Sequence, residues 1–264
     1  MPRAKRRLGQ HFLTDPRILQ RIADALGATD ADTVLEIGAG PGGLTEVLAA
    51  RAGRLIAIEK DADLVPALRA RVPDATVVEA DALEADWHAL AGPDGLVAGH
   101  IRYNITSPLI DKALAPPRPA RIVFLVQKEV ADRVGAEPGG EAYGALSVGV
   151  QAVARAERLF IVPAGAFYPR PKVDSAVLRL TPLAVPIVAN EEVEPFRRLV
   201  VGLFGFRRKQ LGRGLRQLTG WDARRVGAVL ALAGIDASAR PETVSPAAFA
   251  ALLRALVDGG WVAR

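Results

Sequence analysis

The chain of 264 residues contains no cysteine. That excludes disulfides, thiolate metal sites and a cysteine nucleophile, and it agrees with a reducing compartment. Only three histidines are present, His11, His88 and His100, too few for a His-rich metal centre, so no metal site is expected. No run of eighteen apolar residues occurs, so no membrane span is expected. The basic N-terminus MPRAKRRLGQ is not followed by an apolar stretch of signal-peptide length. These absences point to a soluble, cytoplasmic protein. What is there in quantity is apolar: 50% of residues are hydrophobic and 24% charged, which excludes a largely disordered chain. The length allows one large domain, or one domain with a small appendage.

The net charge is only +5, but it is unevenly spread. Arg3, Lys5, Arg6 and Arg7 give the N-terminal arm +4, with no acid among them. Arg197, Arg198, Arg207, Arg208, Lys209, Arg213 and Arg216 give residues 197–216 a further +7, again without an acid. The remainder of the chain therefore carries −6. Two cationic segments on a mildly acidic body suggest an anionic partner, although such a run also reads as a solvated face.

Short apolar runs alternate with helical stretches. Asp15-Pro16 predicts a helix over residues 17–26, with Asp15 as N-cap and proline in the first turn. Residues 33–37, 54–59, 76–78, 95–99 and 121–126 read as strands, with 157–161 and 176–180 nearer the sheet edge. Strands separated by helices imply a parallel sheet covered on both faces. Residues 181–190 hold Pro182 and Pro186 and read as a linker. Residues 193–218, 222–233 and 245–258 read as helices. The predicted architecture is a doubly wound α/β domain over 1–181, including the basic arm, and a small helical domain over 182–264.

The first long strand leads into Glu36-Ile-Gly38-Ala-Gly40-Pro-Gly42-Gly43, where glycines let the backbone turn sharply and approach a ligand. An acid precedes the first glycine and a proline interrupts the loop, unlike a dinucleotide fingerprint. The second strand ends in Glu59, placed to accept both hydroxyls of a ribose. The third ends near Asp81, placed to accept an adenine amino group. Either acid alone reads as a solvated strand end. Together with the loop they read as a nucleotide-type site at the carboxyl ends of the strands.

This ExGxGxG loop, strand-end acid and Asp resemble the S-adenosyl-L-methionine site of Rossmann-like methyltransferases. The resemblance narrows with Leu8-Gly9-Gln10-His11-Phe12-Leu13-Thr14-Asp15, with Phe167-Tyr-Pro169-Arg170-Pro-Lys172-Val-Asp174-Ser175 and with Phe206-Arg207-Arg208-Lys209-Gln210. In this order and spacing they resemble the ribosomal RNA adenine dimethyltransferases. Length and C-terminal domain are more similar to the small-subunit (16S) enzymes than to the large-subunit resistance methylases. The resemblance implies dimethylation of adenine N6 in small-subunit rRNA of an immature 30S subunit by a monomer. His11 and Leu13 match a segment that closes over the cofactor, where the family often has Asn in place of His11. Gly38 matches a glycine packed on the methionine part, Glu59 the ribose ligand, Asp81 the adenine ligand, and Phe167 an aromatic that stacks on the target base. Lys5, Arg170, Lys172, Arg207, Arg208 and Lys209, with Arg3, Arg6 and Arg7, become candidate RNA contacts.

One motif departs. Where the family has Asn-Leu/Ile-Pro-Tyr/Phe after the fourth strand, this chain has His100-Ile101-Arg102-Tyr103. In the family chemistry the Asn oxygen and the next backbone carbonyl hold the amine hydrogens, and the aromatic stacks on the base. Ile101 keeps the carbonyl and Tyr103 the ring. Neutral His100 offers one acceptor and also stands beside the cofactor, whereas protonated His100 would repel it. Arg102 removes the ring-locked φ and adds a cation. Two readings follow: an active dimethyltransferase with His100 in the Asn role, or an rRNA-binding maturation factor of weakened activity. A large-subunit rRNA methylase, a DNA adenine methylase and a small-molecule methyltransferase are more distant alternatives.

Overall fold

The computed structural model describes residue 5 and residues 10–262. Arg3, Arg6 and Arg7 lie outside the described residues.

Helix α1 (Pro16–Leu26) begins where the Asp15 carboxylate accepts the N–H groups of Arg17 and Ile18. It ends at Gly27, whose φ of 65° closes the last turn. Its apolar face, Ile18, Ile22 and Leu26, packs on the sheet core.

The main sheet combines β2 (Thr33–Ile37), β3 (Arg54–Glu59), β4 (Thr76–Glu79), β5 (Leu96–His100), β6 (Arg121–Gln127), β7 (Ala154–Val162) and β9 (Ser175–Pro182), in the order β4-β3-β2-β5-β6-β9-β7. Strands β2 to β6 pair in parallel and β9 is antiparallel to β6. Val34, Leu35, Ile56, Ala57, Ala98, Ile122, Val123 and Phe124 are fully buried, as strands covered on both faces require. The order reverses between β2 and β5, so the crevice beyond their carboxyl ends is the topological switch point. The register aligns Ile37 with Ile58 and with Gly99 there. A second, two-stranded sheet pairs β1 (Phe12–Leu13) with β8 (Phe167–Tyr168), bringing two distant motifs together.

The intervening helices are α2 (Gly43–Ala49), α3 (Val65–Arg71), α4 (Trp87–Ala91), α5 (Thr106–Ala113), α6 (Lys128–Val134) and α7 (Ala145–Gln151). The last four span eight residues or fewer, about two turns, too short for a clear apolar period, and the sequence reading does not contain them. The C-terminal helices are α8 (Val193–Phe204), α9 (Leu211–Thr219), α10 (Ala223–Leu232) and α11 (Pro246–Asp258). The single helix expected over 193–218 is therefore two. A Cβ at Gly202 would stand 2.9 Å from the Leu218 side chain, and one at Gly214 3.3 Å from Leu203. Those contacts require α9 to fold back on α8, which an unbroken helix forbids.

Contacts group the chain into two compact units, Met1–Ala131 with Ala156–Pro182, and Asp132–Arg155 with Leu183–Arg264. The segment 132–155, left in the first domain by the sequence reading, falls in the second unit because α7 packs on α8 and α11. Among the described residues no helix is long and apolar enough to cross a membrane.

Candidate active site at the switch point

The loop after β2 is shaped by Gly38, Gly40 and Gly42, with φ of 73°, 57° and 88°. Side chains rarely adopt these values. Gly38 also admits no Cβ comfortably, since one would lie 3.1 Å from the His100 carbonyl oxygen. The missing side chain thus lets the loop close against the end of β5. The N–H groups of Gly38 and Ala39 donate to the Ile58 carbonyl, tying the loop to β3.

Two adjoining cavities open at this crevice. The first is lined by His11, Leu13, Glu36, Gly38, Glu59 and His100, the second by Lys60, Asp81, Ala82, Ile105 and Leu109. His100, Ile101, Arg102 and Gly38 line both.

Three carboxylates face these cavities. Glu36 is 1% exposed, and its Oε2 has no hydrogen-bond partner. Burial pushes its pKa up to about 7, with the Glu59 charge adding to the effect against an opposing contribution from Thr45. Glu59 is also buried; its Oε2 accepts the Gly40 N–H at 2.8 Å and its Oε1 the Asp61 N–H at 2.7 Å. Asp81 pairs with Lys60 and accepts the Leu83 N–H at 3.0 Å, and those bonds hold its carboxyl below the usual range.

At the end of β5, the Ile101 N–H donates to the Leu125 carbonyl at 3.0 Å, and the Ile101 side chain is buried. Arg102 has φ of −61° and ψ of 137°. That φ is the one a proline ring would impose, so the backbone holds it here without the ring. Burial, reinforced by His11, lowers the His100 pKa to about 4. His100 is therefore neutral at pH 7 and retains one acceptor nitrogen. The His11 Nδ1–H donates to the Pro169 carbonyl at 2.8 Å, and its ring stacks on Tyr103 at 5.9 Å between centroids. Tyr103 exchanges a hydrogen bond with Ser175 at 3.0 Å. Phe167 is 4% exposed and lies against His100 at 5.4 Å, as part of the core cluster. The ring expected to stack on a base is thus covered here, whereas Tyr103 is only half-buried.

The basic candidates divide. Lys5 is held between Asp61 and Asp63, and the buried Gln10 bonds both Asp61 and the Lys5 N–H. Lys5 is thus tied to the loop after β3. Arg197 and Arg198 pair with Glu194, which lies just before the acid-free range 197–216. Arg207 donates to the Glu141 carbonyl at 3.0 Å. Arg170, Lys172, Arg208 and Lys209 are exposed. Lys209 joins Arg213, Arg216, Gln217 and Trp221 around one surface concavity of the C-terminal unit. Lys60 and Asp61 are not readable as site residues from the sequence; their one signal is adjacency to Glu59. Among the described residues no cluster of His, Asp and Glu suits a metal.

A parallel sheet with a glycine loop and carboxylates at its switch point defines a Rossmann-like methyltransferase, and comparison with known proteins places the chain among these. The profile of ribosomal RNA adenine dimethylase matches residues 1–255. Ribosomal RNA small subunit methyltransferase A of Acidithiobacillus ferrooxidans is 42% identical over 98% of this chain and 97% of its own. The protein of that name from Nitratidesulfovibrio vulgaris is 45% identical over 95% and 96%. Among solved structures, a dimethyladenosine transferase from Plasmodium falciparum superposes with a TM-score of 0.83 at 26% identity, covering 95% of this chain and 98% of that one. The 23S rRNA methyltransferase ErmE gives a TM-score of 0.71 at 30% identity, covering 93% and 99%. The chain belongs to the ribosomal RNA adenine dimethylase family. It is an S-adenosylmethionine-dependent rRNA methyltransferase.

Proposed function

We propose that the chain dimethylates N6 of adenines in small-subunit rRNA, acting as a monomer on the immature 30S subunit in the cytoplasm. The observation that carries this reading is the convergence of Glu36, Glu59, Asp81 and neutral His100 on one crevice.

The residues present fit the cofactor. S-adenosylmethionine bears an ammonium, a sulfonium, a ribose diol and an adenine amine. Buried Glu36 has an oxygen without a partner, suited to the ammonium. Gly38 leaves room for the methionine portion beside His100. Glu59 can accept the ribose hydroxyls and Asp81 the adenine amine, with Ala82, Ile105 and Leu109 as apolar walls. Leu13, on the short β1 segment, and His11 just before it form the cover. When bound, the cofactor supplies a methyl group activated by a positive sulfur.

The chain's own part is positioning. An adenine amine is a weak nucleophile because its lone pair delocalises into the ring. The His100 acceptor and the Ile101 carbonyl would take its two hydrogens and so aim the lone pair at the methyl group. Tyr103 would stack on the extruded base, and Phe167 would steady His100 from behind. Arg170, Lys172, Arg207, Arg208 and Lys209 would track phosphates, with Arg213 and Arg216 added by the concavity they share with Lys209.

Labelled-methyl transfer to purified immature small subunits tests the proposal. Incorporation into adenines supports it; none, with RNA binding intact, favours the maturation-factor reading. The one observation on that second side is the Arg102 guanidinium inside the crevice.

A further inference from the structure

We propose that Arg102 is an internal competitor for Glu59 and thereby sets how tightly the crevice takes any adenosine-bearing ligand. The inference rests on Glu59 being the ribose ligand. Arg102 Nη2 stands 3.5 Å from Glu59 Oε1, and the Arg102 side chain is one-fifth exposed. Its side chain lines both the cavity that holds Glu36, Gly38 and Glu59 and the one that holds Asp81 and Ala82. Arg102 therefore borders both of the cavities that a ligand spanning them would fill. Its charge is also felt at Asp81.

Counting acceptor positions makes the conflict specific. A carboxylate offers about four lone-pair positions. The Gly40 and Asp61 N–H groups take one on each oxygen of Glu59, at 2.8 and 2.7 Å. The Arg102 guanidinium, ion-paired at 3.5 Å from Oε1 without a hydrogen bond to it, stands over a third. A ribose diol donating two hydrogen bonds needs both remaining positions, so it binds fully only when Arg102 withdraws. The backbone need not move for that. The Arg102 carbonyl is held by the Ile105 N–H at 3.2 Å and the Thr106 hydroxyl at 3.1 Å, so only side-chain torsions change. At this distance and exposure the pair is weak, so the penalty on ligand binding is a few-fold rather than orders of magnitude.

Titration calorimetry on the full chain tests this with two probes, S-adenosylhomocysteine and adenosine. They share the ribose, and neither carries a sulfonium. Arg102→Met is expected to bind both about five-fold more tightly than the unaltered chain, with Arg102→Ala as a second variant should the first fold poorly. Glu59→Gln is expected to weaken both probes and to abolish the gain from Arg102→Met, so the two changes are not additive. Unchanged affinity in both Arg102 variants, with Glu59→Gln still weakened, overturns the competition. So does a gain seen only when S-adenosylmethionine is titrated alongside as a control, which indicates repulsion of the sulfonium instead. If Glu59→Gln leaves adenosine binding intact, the ribose reading of Glu59 itself falls.

Discussion

Replacing Glu36 by glutamine should stabilise the fold and impair ligand binding together. Burial raises the Glu36 pKa from its ordinary 4.5 to about 7. Between those values the folded chain holds a proton that the unfolded chain has lost, so stability falls as pH rises through that window and levels off above it. The displacement corresponds to roughly 3 kcal/mol of ionisation penalty above pH 7. A glutamine amide never ionises. The Glu36→Gln variant should match the unaltered protein at about pH 4 and exceed it at about pH 8 by up to that amount. Urea denaturation at the two pH values measures the difference. The same variant should bind S-adenosylhomocysteine more weakly yet adenosine equally, because only the former carries the ammonium. Parallel pH profiles of stability for the two proteins would refute the burial argument, and equal losses for both probes would refute the ammonium assignment.

Other expectations concern the chemistry and the RNA. His100→Ala should lower kcat by roughly 10²- to 10³-fold with little change in cofactor affinity, as expected when a transition-state hydrogen bond is lost. Since the His100 pKa is lowered to about 4 from its ordinary 6.5, methyl transfer at saturating substrate should show no inflection near that ordinary value from this group; one that disappears in His100→Asn would contradict that. Changing Lys209, Arg213 and Arg216 together to alanine should flatten the salt dependence of RNA binding by about 2 to 3 in the log–log slope and leave S-adenosylhomocysteine affinity unchanged. A filter-binding titration from low to high salt checks it.

The sheet was legible because its buried strands are short, continuous apolar runs; the expected bounds of β2 and β3 are those observed. Shifting β5 by one residue relative to the expected run makes His100 its last member. Helices of seven residues, such as α6 and α7, carry too few turns to reveal a face, and the break between α8 and α9 depends on glycine contacts that only the folded chain creates. Of the candidate site, the residue types were readable but their pairings were not. Nothing in the spacing announced that Arg102 reaches Glu59, that Lys60 pairs with Asp81, or that Lys5 is engaged by Asp61 and Asp63. The backbone at Arg102 was likewise invisible: losing proline suggested a freer φ, yet the 3₁₀ turn at Tyr103–Ile105 holds it at −61°.

The crevice is expected to methylate adenine despite the altered motif. Mass analysis of small-subunit rRNA, after incubation of immature subunits with this chain and S-adenosylmethionine, addresses it directly. N6,N6-dimethyladenosine is expected with the unaltered chain and is lost in Glu59→Gln. Adenines left unmodified, on subunits that the chain demonstrably binds, would contradict it.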